Sequence, residues 1–328
     1  MSATGAVGEL VSVIVLSWNS REFLDGCLTS VMRQTWPAVE LIVVDNGSTD
    51  GSPQLVRERF PSALLVENAG NLGFCAGNNV GLRRSHGAHV LFLNADATLD
   101  TGYIEKALEP FAEDPRVGMV AGKVLRFDRR TLDTTGQILK LNRRVMERGY
   151  GEEDRGQYEQ PGEVFSVCGA AALYRREAID DISMDGEFFD EDFFAFGEDL
   201  DAGWRARTMG WLCRYQPAAV AAHYRGGTQT ARRDGAGRHR EMTRRPPHIQ
   251  AHIVKNRWLA ILKNEAPGSF LAHLPFILAW DLVIWLYLLI FSPTTVPILW
   301  GHRRLLGRAL GKRRAIRSRA ALRAAARV

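Results

Sequence analysis

The sequence predicts an α/β fold with a mainly parallel central sheet, followed by a helical segment. Two observations carry that prediction. Short apolar runs rich in β-branched residues recur through the first hundred positions, and helical periodicity fills the gaps between them. A third observation predicts where a ligand sits. An acid or an amide stands at or just beyond the end of three of those runs, on the rim where loops and helix N-termini converge in such sheets.

Taken in order, VSVIVL (Val11 to Leu16) is short and β-branched and predicts a buried strand. Phe23, Leu24, Cys27, Leu28, Val31 and Met32 then recur at helical spacing. ELIVVD (Glu40 to Asp45) predicts a second strand, and the NGSTDGS after it is dense in turn formers. Ser52 and Pro53 predict an N-cap and a first helical position, opening a helix to about Phe60. ALLVEN (Ala63 to Asn68) and HVLFLN (His89 to Asn94) complete four strands separated by helices. Asp45, Asn68 and Asp96 therefore share one rim. Further on, Glu163 to Ile179 predicts a buried strand turning into a helix. Phe196 to Trp211 predicts a loop opening an amphipathic helix that stops near Gly210.

With 328 residues the chain can bury a substantial core, and 46% hydrophobic against 24% charged residues excludes wholesale disorder. The expected organisation is a domain over residues 1–230, an Arg-, Gly- and Pro-rich linker over 231–247, and a helical region over 248–328. The net charge of +5 hides an asymmetry. No acid follows Asp281, yet ten Lys and Arg do, from Arg303 to Arg327, which leaves about −5 for the rest. Cys27, Cys75, Cys168 and Cys213 form no CxxC pair, so a disulfide framework is not expected and a reducing cytosol fits. The N-terminus lacks the pattern of a signal peptide.

The stretch LFLNADATLD drives an apolar strand straight into Asn94, Asp96 and Asp100. An early strand, a second ending VVDNGSTDGS, a Gly/Asn loop and a strand ending Asn-x-Asp, in this order, resemble the inverting GT-A glycosyltransferases of family two, above all the bacterial rhamnosyltransferase-like members. The resemblance covers roughly residues 10–225 and implies a Rossmann-like domain that binds a nucleotide sugar.

It implies roles residue by residue. Asn94, Ala95 and Asp96 occupy the place of the usual Asp-x-Asp motif, where Asp96 would hold Mg²⁺ or Mn²⁺ against a diphosphate. Asn94 departs from the family and removes one charge. The alternative is that Asp96 and Asp100 cap the next helix. Asp45 would accept the imide N–H of uracil or thymine, or else it only shapes a turn. Ser17 and Asn19, in SWNSREF, and Asn71, Gly73, Phe74 and Asn79, in NAGNLGFCAGNNVG, match positions that help bind the nucleotide sugar.

GED (Gly197 to Asp199) supplies the other half. Inversion by direct displacement needs one base, and the resemblance gives that role to Asp199, with Glu198 positioning its neighbours. The alternative is a charged helix start. His223, before a Gly pair, is either structural or a metal ligand as in family members.

Pro275 to Phe291 is the most apolar stretch. With Trp280, Trp285, Tyr287, Trp300 and the Arg tail it suits monotopic attachment to an anionic membrane surface on the cytoplasmic face; the alternative is a helix buried against the domain with a solvated tail. Nucleic acid is not expected, since no aromatics interleave the tail after Trp300. The expected activity moves a sugar, from dTDP-rhamnose before UDP- or GDP-sugars, onto a lipid-linked or nascent glycan for a cell-surface polysaccharide. A nucleotidyltransferase would want a Gly- and basic-rich loop where SWNSREF stands. A silent glycan-binding scaffold would not need Asp45, Asp96 and Asp199 together.

Overall fold

The computed structural model describes residues 8–225 and 245–326. Its first half alternates as expected: β1 (Val11–Ser17), α1 (Arg21–Met32), β2 (Val39–Asp45), α2 (Ser52–Arg59), β3 (Leu64–Glu67), α3 (Gly73–Leu82) and β4 (His89–Asn94). The order β3-β2-β1-β4 is parallel throughout, and its register sets Ser17 beside Asp45 and Leu16 beside Asn94. Leu24, Cys27, Leu28 and Val31 of α1 bury against Val13, Val15 and Leu91 of the sheet. Each such aliphatic side chain contributes roughly 1.5–3 kcal/mol. The start of α2 differs in detail from the expectation. Ser52 is already helical, and Asp50 Oδ1 accepts from its N–H (3.0 Å) and its hydroxyl (2.6 Å).

The second half makes the sheet mixed. β5 (Ala97–Leu99), α4 (Tyr103–Glu113), β6 (Val117–Arg126), β7 (Leu132–Thr134), the hairpin β8 (Gln137–Leu139) and β9 (Val145–Glu147), and β10 (Gly162–Glu163) precede β11 (Ala171–Arg175). α5 (Arg176–Ile182), α6 (Glu198–Thr208) and β12 (Leu212–His223) follow. β11 runs antiparallel between β4 and β6, and β12 lies parallel to β6. One rim therefore gathers the ends of β1, β2, β4 and β12 and the start of β11. β6 and β12 escape a reading of periodicity because Gly118 and Gly122 dilute one, while Pro217 falls in a register shift of the other.

α6 is not the amphipathic helix that its sequence suggested. Every residue from Glu198 to Ala206 is buried. Its charges are met inside: Asp201 pairs with Arg205 (2.9 Å) and with Lys263 (2.8 Å), and Arg205 also donates to the carbonyl of Phe188 (2.6 Å).

Among the described residues four more helices follow, α7 (Pro247–Asn264), α8 (Pro267–Phe291), α9 (Thr295–Gly301) and α10 (Arg304–Ala326). Most of the expected linker lies outside the described residues. The Arg-rich segment is not a solvated tail. α10 returns to the body, where Ala309 and Ile316 join the same core as Phe188 and Phe189. Lys312 meets Asp190 (2.5 Å) and Asp192 (2.9 Å), Arg308 meets Asp192 (2.8 Å), and Arg313 and Arg317 bond the carbonyls of Leu262 and Glu265. The cationic end thus neutralises part of the acidic body.

α8 starts at Pro267, earlier than its most apolar stretch implied, and at 25 residues it is long and apolar enough to cross a membrane. Ile277, Asp281, Ile284 and Leu288 form its buried stripe, while Leu271, Leu282, Leu289, Ile290 and Phe291 stay exposed. Asp281 pairs with Arg257 of α7.

Candidate functional site

At the end of β2, Asp45 is buried. Its Oδ2 accepts from the backbone N–H groups of Gly47 (3.1 Å) and Ser48 (2.9 Å), whereas Oδ1 has no partner. A carboxylate oxygen buried without a donor is costly unless a ligand supplies one. Asp45 lines a pocket of about 370 Å³ with Gly47, Thr49, Pro53, Gln54 and Asn68. Asp45 therefore shapes the turn with one oxygen and leaves the other without a protein donor.

Its neighbours divide between pocket and scaffold. Ser17 lies fully buried beside Asp45 with an unpartnered hydroxyl. Asn19 takes a left-handed conformation (φ 49°), and its Oδ1 accepts from Thr49 N–H (2.9 Å), which ties the loop after β1 to the pocket wall. Asn71 Oδ1 accepts from Gly73 N–H (2.8 Å) and is bonded by Asn46, so it shapes the turn into α3.

Two residues expected to touch the nucleotide sugar are occupied elsewhere. Asn79 is buried; its Oδ1 accepts from Phe189 N–H (3.0 Å), and its Nδ2 donates to the Phe189 carbonyl (2.7 Å) and to Glu191 Oε1 (3.1 Å). Gly73 is needed because a Cβ there would come within 2.5 Å of the Phe194 ring, at a φ of +85°. Phe74 does reach the site, lying beside Gly169 together with Asp199 and Glu198.

Asn94 ends β4, and Ala95 and Asp96 follow it. Ala95 is buried in the turn. Neither Asp96 nor Asp100 caps α4. Gly102 stands at its N-cap, Asp100 pairs with Arg129 (2.6 Å), and Asp96 Oδ1 lies 3.1 Å from His223 Nε2. His223 Nδ1 faces Asp133 Oδ2 (3.0 Å), and Asp133, fully buried, also pairs with Arg225. Asn94 Nδ2 is 3.4 Å from His223 Nε2. Burial works against a charged imidazole, yet the hydrogen bonds and charges of Asp133 and Asp96 outweigh it and raise His223 to about 9.

This donor set fits a hard or borderline divalent cation. An oxygen of Asp96 and a nitrogen of His223 already converge, and a carboxylate holds the far side of the imidazole as metal-ligating histidines require. The proton on His223 stands where the ion's charge would be. Asn94 offers only a neutral amide oxygen in place of a third charge.

The second cluster sits where α6 begins. Asp199 is buried and accepts from three N–H groups: Leu200 on Oδ1 (2.7 Å), and Gly169 (3.1 Å) and Gln137 (2.8 Å) on Oδ2. Gln137 also donates to Glu147 Oε1 (3.0 Å). Donor atoms of Glu147, Cys168 and Asp199 all lie within 4.8 Å of one another. Burial, then the charge of Asp199, raises Glu147 to about 7 and Glu198 to about 8. Burial also pushes Asp199 upward, but its three N–H donors oppose that. The net effect on Asp199 is still upward, and of the three acids it is the one whose charged form three N–H groups support. Glu198 Oε2 is buried and unpartnered, as suits a carboxyl that keeps its proton.

The chain reaches α6 under strain. Phe194 and Phe196 have φ of 66° and 74°, and Asn256 of α7 bonds the carbonyls of Phe193, Ala195 and Phe196 (3.0, 2.7 and 2.7 Å). The two clusters meet through the sheet, since Asn94 N–H donates to the carbonyl of Ala170, next to Gly169. Asp133, Gln137, Glu147 and Gly169 were missed by sequence reasoning. The signal available for the middle two was a short hairpin, QILKLNRRVME, in which Gln137 and Glu147 sit opposite each other.

Comparisons with known proteins accord with this geometry. The family model described as Glycosyl transferase family 2 matches residues 12–183. An N-acetylglucosaminyl-diphospho-decaprenol L-rhamnosyltransferase of Mycobacterium tuberculosis is 26% identical over 241 residues, covering 66% of this chain and 76% of that one. A poly-beta-1,6-N-acetyl-D-glucosamine synthase of Staphylococcus epidermidis is 22% identical over 214 residues, 65% of this chain and 49% of that one. Among solved structures, a mannosyltransferase of Pyrobaculum calidifontis in complex with GDP-Man and Mn²⁺ superposes with a TM-score of 0.55 at 21% identity, covering 96% of this chain and 86% of that chain. That likeness bears on the fold, which is GT-A.

Proposed function

The chain belongs to glycosyl transferase family 2, and on that premise we propose that it transfers a sugar, rhamnose foremost, with inversion from a nucleotide diphosphate to a lipid-linked or nascent glycan. The rhamnosyltransferase relative, named for an N-acetylglucosaminyl-diphospho-decaprenol, supports both halves of that choice. The nucleotide base enters the Asp45 pocket, and the diphosphate lies over Asp96 and His223. A Mg²⁺ or Mn²⁺ ion held by those two residues would offset the charge that grows on the leaving diphosphate.

The acceptor hydroxyl meets Asp199. As its oxygen bonds the anomeric carbon, its proton passes to Asp199, and the carbon–oxygen bond to the diphosphate breaks with its electron pair leaving on the phosphate. One displacement inverts the centre. The observation that carries this reading is the contrast within the acidic cluster: Asp199 has three N–H donors, while Glu147 and Glu198 are held in the neutral range. The length and apolar character of α8 support attachment to a membrane, in our reading on the cytoplasmic face. The exposed Arg303 and Arg304, which follow α9, remain for anionic lipid, the rest of α10 being largely engaged with the body.

Incubating the full-length protein with dTDP-rhamnose, UDP-sugars or GDP-sugars, Mn²⁺ and a synthetic N-acetylglucosaminyl-diphospho-polyprenol tests the proposal. Transfer from dTDP-rhamnose with an inverted anomeric centre in the product NMR spectrum is expected. Retention of configuration, or no transfer from any of these donors, would overturn it.

A further inference from the structure

A groove lies away from the clusters just described, between the β8–β9 turn and α8. It encloses about 510 Å³ and is lined by Lys140, Leu141, Phe276, Trp280 and Val283 among others. We propose that it holds the diphosphate and first isoprenoid units of a polyprenyl-linked acceptor. The inference rests on the reading of Asp199 as the group that meets the acceptor.

Three features assign that ligand. First, the groove is apolar on the α8 side and continues onto exposed Leu282, Leu286 and Leu289, a surface for a hydrocarbon chain. Secondly, cations stand at its turn end. Lys140 is exposed and makes no ion pair among the described residues, and the Arg144 guanidinium lies 5.1 Å from the Trp280 ring centroid. An anionic head on an apolar tail matches that polarity. Thirdly, the hairpin connects the groove to the chemistry. From Lys140 back to Gln137, which bonds Asp199, is three residues of chain, about 10 Å at the rise of a strand. That distance suits one sugar and its diphosphate. A bulk phospholipid would account for the apolar floor but not for the line from Lys140 to Asp199.

The groove is built rather than incidental. Arg143, buried at the turn with φ 58°, pairs with Glu265 and bonds Ser269 (2.7 Å) and His273 (2.9 Å). Arg257, already paired with Asp281, donates to the carbonyl of Asn142 (2.6 Å). The turn is therefore fixed to α7 and α8 before any ligand arrives.

Photolabelling tests the site without requiring turnover. The full-length protein in phosphatidylcholine nanodiscs would be irradiated with a diazirine-bearing farnesyl diphosphate. The expected label falls on Leu141, Phe276, Trp280 or Val283, is displaced by geranylgeranyl diphosphate, and resists inorganic pyrophosphate and phosphatidylglycerol. Lys140→Glu with Arg144→Glu should weaken labelling about tenfold while leaving dTDP binding unchanged. Label elsewhere, equal displacement by phosphatidylglycerol, or indifference to the charge reversal would each overturn the proposal. Because the probe is only bound, an inactive donor reaction would sink the proposed function and leave this result standing.

Discussion

The side-chain amide of Gln137 donates to Asp199 Oδ2 over 2.8 Å, and so ties the expected base to a hairpin whose turn is fastened to α8. The bond stabilises the ionised carboxylate against the burial that would protonate it.

Asp199→Asn keeps the shape but removes the charge that accepts a proton. Transfer should fall by about two orders of magnitude or more, with donor binding retained. Gln137→Leu removes one N–H donor from the ionised form, so the pKa of Asp199 rises and the acidic limb of kcat/KM moves to higher pH. A pH–rate profile of both variants checks this. Near-normal turnover of Asp199→Asn would refute the role.

Asp133 touches no substrate but holds His223 by its far nitrogen at 3.0 Å. Asp133→Asn should weaken Mn²⁺ affinity about 10- to 100-fold, and His223→Ala at least as much. Calorimetric titration of Mn²⁺ in the presence of dTDP measures both. Unchanged affinity in His223→Ala would remove that residue from the metal site.

The unpartnered Oδ1 of Asp45 should discriminate bases. Thymine and uracil present an N–H where cytosine presents an acceptor, and one charge-assisted bond is worth roughly 1.5–3 kcal/mol, so dTDP should bind about 10- to 100-fold better than dCDP. Asp45→Ala should erase most of that preference. Equal binding of the two by the unmodified protein would contradict it.

His89 is buried against Phe111, with ring centroids 4.6 Å apart, and Glu9 approaches its Nδ1 at 3.4 Å. Burial, then the charge of Arg175, lowers its pKa from 6.5 to about 4. The unfolded chain therefore takes up a proton that the folded one refuses as pH falls from about 6.5 to 4. Stability should be full above that window and drop by on the order of 1–3 kcal/mol across it. Urea midpoints at pH 7 and pH 5 should converge in His89→Phe and separate in the parent.

The parallel half of the sheet was legible because its strands are short, β-branched and closed by acids or amides. So were Asp45, Asp96 and Asp199, whose charges interrupt apolar runs. β6 and β12 were hidden by glycine, alanine and proline. The two clusters were completed by Asp133, Gln137 and Glu147, which look like ordinary polar residues until the antiparallel β11 and the hairpin bring them to the rim. Periodicity has no access to such tertiary pairing. The basic C-terminus misled for a similar reason: its charges complement acids more than a hundred residues earlier in the chain.

That separation bears on when the enzyme becomes competent during its own synthesis. Asp201 and Asp190 precede their buried partner Lys263 by 62 and 73 residues, and Asp190 precedes Lys312 by 122. Burying these carboxylates without the lysines would cost several kcal/mol each, so α6 cannot settle until α7 emerges. Asn256, which fastens the strained loop before Glu198, also arrives with α7. At about 5–20 residues per second the nascent chain waits several seconds after Asp199 is made. Through that interval β12 joins the sheet and the Asp45 pocket is already built while Asp199 is still loose, so the acidic cluster settles only as α7, with the apolar α8 behind it, emerges.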